Sequence, residues 1–140
     1  MISVPVFRKA MHDIAAKKGA FTLFGLFMPA NGLGNWDLVV AAPWLEEGNP
    51  RILRRFIKLL RDSTRKRASL GLARVQIVGD RYPSLKTILK DFPVDDGEKR
   101  VGKSFLFGLE FDDAIILRAC SPKARPVAVA ASSASSRNGR

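Results

Sequence analysis

Residues 21–42, FTLFGLFMPANGLGNWDLVVAA, decide how the rest of the chain must be arranged. Two short runs, 21–28 and 36–42, are apolar, aromatic-rich and β-branched, and the turn-forming segment PANGLGN separates them. That pattern predicts a β-hairpin with a longer loop. Apart from Thr22 and Asp37, both strands are apolar at odd and even positions alike. Both faces of the hairpin must therefore be covered, by helices or by a second subunit.

Upstream, Ser3 can cap a helix and Pro5 suits its opening turn. Phe7, Ala10, Met11, Ile14 and Ala15 then recur at helical spacing until Gly19 offers a stop. Downstream, Pro43 ends the second strand, and Glu46, Glu47 and Asn49 lead into a long helix over 50–69. At about 100° per residue, Leu53, Phe56, Ile57, Leu60 and Thr64 fall on one side, with Arg51, Arg54, Lys58, Arg61 and Arg65 opposite. Gly71 closes this helix, and 72–78 alternates like a half-buried strand. Leu85, Ile88, Leu89 and Phe92 predict a third helix over 83–92, with Ser84 or Asp80 near its start.

Residues 94–101 read as a polar surface loop. Segments 103–111 and 114–119 read as a second hairpin joined at Asp112 and Asp113, with Phe105, Phe107, Leu109 and Phe111 on one face of its first strand. The expectation is one α+β domain over 1–120, in the order helix-strand-strand-helix-strand-helix-strand-strand. It would form a five-stranded, largely antiparallel sheet packed with three helices. Residues 121–140, basic and rich in Ser and Ala, cannot bury enough apolar area to offset ordering entropy and read as a disordered tail.

Bulk properties narrow the class. At 140 residues and 46% apolar, the chain suits one hydrophobic core and is too apolar to be disordered throughout. It has no run of the roughly 20 apolar residues that a membrane helix needs, so no integral membrane association is expected. The first residues lack the residue order of a secretory signal, and the lone Cys120 fits a reducing compartment, so a cytoplasmic location is expected.

The formal net charge is +11. Eight bases against Asp62 give residues 51–67 a net +7, and four bases without an acid give the tail +4, so the remainder sums to zero. A helix ridge of successive cations could neutralise successive phosphates, giving salt-dependent affinity without base reading.

Other motifs point elsewhere. GEKRVGKS, 97–104, satisfies the phosphate-loop pattern, in which Gly102, Lys103 and Ser104 would contact phosphate and magnesium. The chemistry needs a buried strand before the loop and a helix after it, whereas here an acidic loop precedes and a period-two segment follows. KSFLFGLEF, 103–111, partly resembles the aromatic strand of RNA-recognition domains, which implies base stacking by Phe105 and Phe107. The element order lacks that family's βαββαβ pattern, and core packing is the simpler reading. Asp37 with Glu110, Asp112 and Asp113 could form the carboxylate cluster of a metal-dependent nuclease, provided the fold brought them together. His12 has no second histidine, Trp36 and Trp44 suit core or interface positions, and Cys120 lacks a positioned base.

The expectation drawn from these residues is a non-catalytic binding or interaction module. Its basic helix would contact a polyanion such as nucleic acid or an acidic protein, and the two-sided hairpin would allow a homodimer. No catalytic residue, metal ligand or cofactor is assigned. The alternatives are an enzyme, through the phosphate-loop-like segment or the carboxylates, and a structural or regulatory partner protein.

Overall fold

The computed structural model describes residues 3–32, 34–64, 72–79, 81–95 and 97–121. Their order is α1 (Val4–Lys18), β1 (Leu23–Pro29), β2 (Trp36–Ala41), α2 (Pro50–Thr64), β3 (Leu72–Ile77), α3 (Pro83–Asp91), β4 (Lys99–Arg100), β5 (Ser104–Leu106) and β6 (Leu109–Ala119). The fold is α+β. The sheet has six strands rather than five, running β3-β2-β1-β6-β4, with β5 also paired to β6.

The opening hairpin forms as its composition requires. Leu23 faces Ala41 and Phe27 faces Asp37 in an antiparallel ladder. On the other side of β1 lies β6, also antiparallel. β2 and β3 run parallel, and the intervening α2 is the crossover that such a pair needs. β1 and β2 are therefore central strands, and both faces are covered within the chain. α1 and α2 close one face, where Phe7, Met11, Ile14, Phe56 and Leu60 pack on Phe24, Leu26, Leu38, Val40 and Leu117. α3 closes the other, burying Leu85 and Ile88 against Leu23, Phe27, Val39 and Ile116.

Two irregularities shape β6. Arg118 lies opposite Phe24 while Ile116 lies opposite Gly25, so Leu117 is the extra residue of a bulge. Asp112 is a second extra residue, between the partners of Met28 and Pro29. Gly25 has a packing reason: a Cβ there would lie 2.7 Å from Cε1 of Phe27, whose ring covers it.

Several expectations change. Residues 103–111 are not one strand. Phe107 (φ 54°) and Gly108 (φ 75°) make a two-residue turn between β5 and β6, because the glycine permits the left-handed geometry that tight hairpins favour. Asp112 and Asp113 then sit inside β6 rather than at the connection. Phe105 and Phe111 consequently face opposite ways, the first 71% exposed and the second buried. The expected loop 94–101 contains β4, two residues recruited as an edge by the long β6. The extra β4 accounts for the sixth strand. Ser3 and Ser84 make no helix-capping bond from their side chains; the Ser84 hydroxyl instead accepts the Phe107 N–H at 2.7 Å.

The last part of the expected helix, 65–69, lies outside the described residues, as do Asp80 and, beyond Ser121, the tail. Among the described residues, no helix is long and apolar enough to cross a membrane.

Candidate functional site

The basic face is built from the start of α2 onward. Asn49 Oδ1 accepts the backbone N–H groups of Arg51 (3.0 Å) and Ile52 (3.4 Å), satisfying two of the donors that a helix N-terminus leaves open. Asn49 Nδ2 in turn donates to Glu46 Oε1 at 2.9 Å, which orients the cap. Phe56, Leu60 and Thr64 are buried, and the Thr64 hydroxyl donates to the Leu60 carbonyl at 2.8 Å. These anchors fix the rotation of the helix. At about 100° per residue, the residues left outside are Arg51, Arg54, Arg55, Lys58 and Arg61, and all five are exposed.

No ion pair joins any of these five to another described residue. Several other acids of the fold are engaged by other bases. Asp37 binds Arg74 (2.9 Å), Glu47 binds Arg81 (3.3 Å), Asp95 binds Arg118 (2.6 Å) and Asp13 binds Lys9 (3.0 Å). Asp62 also lies on the exposed side of α2. Arg65, expected on the same ridge, lies outside the described residues.

α1 extends the cationic layer, which the sequence reading did not anticipate. Lys17 and Lys18 are exposed at its C-terminal end. Trp44 holds that end beside α2: its indole N–H donates to the Gly19 carbonyl, and its ring packs against Phe21 and Phe56. The signal was hydropathic. Both helices bury one face on the same side of a two-sided hairpin, so their polar faces must share a surface.

The carboxylates proposed for a nuclease are held separately. Asp37 is buried in β2 against Arg74. Asp113, two strands away in β6, accepts hydrogen bonds from Arg100 Nε (3.3 Å) and Nη2. That bond from the Arg100 guanidinium holds the Asp113 carboxyl below its ordinary range, against the opposing effect of burial. Arg100 is raised in return, first by the same hydrogen bond. Glu110 and Asp112 are exposed. Among the described residues, no three His, Cys, Asp or Glu side chains gather as a metal site would require.

The phosphate-loop-like segment runs through two edge strands. Lys99 and Arg100 pair with β6, Gly102 turns the chain at φ 76°, and Lys103 is exposed. Ser104 opens β5, with its hydroxyl buried and unbonded. The next element is β6, so no helix follows the segment as a phosphate loop requires. Phe107 packs edge-on against Phe27 and Tyr82, while Phe105 stands in solvent. Trp36 is buried, as its core reading required.

One further group was missed. Arg118 interrupts the apolar run AIILRA, and its side chain is 9% exposed. Its Nε donates to the Phe21 carbonyl (2.9 Å) and its Nη1 to the Asp95 carbonyl (2.8 Å), beside a cleft of about 490 Å³ under α1. A charged residue inside an apolar strand run was the available signal.

No protein-family model matches the chain, and no curated protein or solved structure is significantly similar to it.

Proposed function

We propose that the protein is a non-catalytic binding module that holds a polyanion on the outer face of α2. The observation that carries this reading is the exposure of Arg51, Arg54, Arg55, Lys58 and Arg61, none in an ion pair with a described residue, while acids elsewhere in the fold pair with other bases. Solvated cations that are not matched within the fold attract phosphate, sulfate or carboxylate groups at no cost in broken ion pairs. Four of the five are arginines, whose planar forks hold two oxygens of one oxyanion. The cap and buried anchors of α2 hold the row in place before a ligand arrives. Lone Cys120 suits a reducing, cytoplasmic setting.

The test is retention on immobilised heparin as salt rises, for the parent chain and for the triple variant Arg54→Glu, Lys58→Glu, Arg61→Glu. The parent elutes at elevated salt. The variant, shown to be folded by an unchanged cooperative melt, elutes at least tenfold more weakly bound. Equal retention of the two proteins would remove the proposal.

A further inference from the structure

Resting on that reading of α2, we infer that the polyanion is duplex DNA in the B form, with α2 lying along its major groove and its cations on the flanking phosphates. Charge complementarity selects an oxyanion polymer, and the shape of the face selects among such polymers.

The row from Arg51 to Arg61 spans about 15 Å at 1.5 Å per residue, the length over which a groove runs nearly straight. A helix with its side chains is about 10–12 Å across, and the B-form major groove is about 12 Å wide. α2 packs over β2 and β3, through Leu53, Phe56 and Leu60 against Leu38, Val40, Val75 and Ile77. β3 is the terminal strand of the sheet, so α2 lies over the sheet's edge rather than its middle. A convex helix that presents its outer face at a sheet edge enters a groove; it does not enclose a strand.

A single strand calls for different equipment: a groove that follows the backbone and exposed aromatic rings on which bases stack. Among the described residues, the exposed large aromatic is Phe105, on β5 at the opposite edge of the sheet. At about 4.8 Å per strand it lies some 15–20 Å from α2, and α1 covers the sheet between them. One strand cannot stack there while following the α2 row. Double-stranded RNA presents a major groove too deep and narrow for a helix. A bilayer is met by cations combined with exposed apolar wedges, yet among the described residues the large apolar side chains that are exposed, Phe105 and Leu109, both belong to the β5–β6 hairpin.

The remaining residues fit backbone contact without base reading. The ridge carries no Asn or Gln to recognise adenine. Lys17 and Lys18, held beside α2 through Gly19 and Trp44, are placed for the phosphates flanking the groove.

The experiment is fluorescence anisotropy of the full chain against a labelled 20-base-pair DNA duplex, one of its single strands, the matching RNA duplex and vesicles containing phosphatidylserine. Each is titrated at several salt concentrations. The DNA duplex binds at least tenfold tighter than the single strand or the RNA duplex, with little dependence on sequence. Its logarithmic salt slope is about −4.5 from the five α2 cations and up to about −6 with Lys17 and Lys18 also engaged, and Arg51→Ala with Arg54→Ala and Lys58→Ala reduces its magnitude by about 3. Equal or tighter binding of the single strand, or binding confined to vesicles, would overturn the duplex inference while leaving a polyanion site on α2, whereas loss of binding on Phe105→Ala would place the contact away from α2 and overturn both readings. Absence of binding to every probe and to heparin would overturn the polyanion reading itself.

Discussion

The indole nitrogen of Trp44 donates a hydrogen bond to the carbonyl oxygen of Gly19 across 3.1 Å, and this bond joins the end of α1 to the layer that α2 completes. Gly19 sits at φ 118°, a conformation that presents its carbonyl and disfavours any side chain. Trp44→Phe keeps an aromatic ring against Phe21 and Phe56 but deletes the donor. The expected loss is about 1–2 kcal/mol, read as a lower urea midpoint at an unchanged slope.

Gly25→Ala forces a methyl group into the Phe27 ring, which is itself fixed by Phe107 and Phe111. Because Phe27 is fully buried, the ring cannot move aside cheaply. Overpacking of this kind costs about 1–3 kcal/mol. A thermal melt detects it, and an unchanged midpoint would show that the ring has room.

The Arg100–Asp113 pair makes stability depend on pH in a stated direction. Asp113 has its pKa lowered in the folded protein, chiefly by the Arg100 hydrogen bond. Its contribution is therefore fully present above the unfolded value of about 3.9 and is lost as pH falls through the lower folded value. Arg100→Gln is expected to be less stable than the parent at pH 6, with the gap closing below about pH 4. The difference should be small and shrink in salt, since Arg100 is exposed. Urea titrations at pH 6 and pH 3 measure it.

The elements that were legible in the sequence are those with a strong period or a strong composition. The two-sided hairpin, the amphipathic α2 and the apolar stripe of α1 could each bury their apolar residues in one way only. What escaped depended on partners distant in sequence. β4 has no pattern of its own and exists because β6 extends past it. The 103–111 segment alternates like a strand, but Phe107–Gly108 closes a tighter hairpin than Asp112–Asp113 could, and the Asp112 bulge absorbs the remainder.

The site was legible in the same measure. Helical spacing alone placed Arg51, Arg54, Lys58 and Arg61 on one ridge. Arg55, though close in projection, was left off it, and its exposure on the same side emerged only from the coordinates. Lys17 and Lys18 could be joined to the ridge only once α1 and α2 were known to pack on the same face of the sheet. The burial of Arg118 depended on a β-bulge and on the Asp95 carbonyl, neither of which local sequence encodes.

The most direct test of the central claim is an amide chemical-shift map of the isotope-labelled protein titrated with a short duplex DNA at low salt. The account predicts that the perturbed amides cluster at residues 51–61 and at the end of α1, and that they return toward their free positions as salt rises. Perturbations confined to 97–104 or to the Phe105–Leu109 turn, with residues 51–61 unmoved, would contradict it.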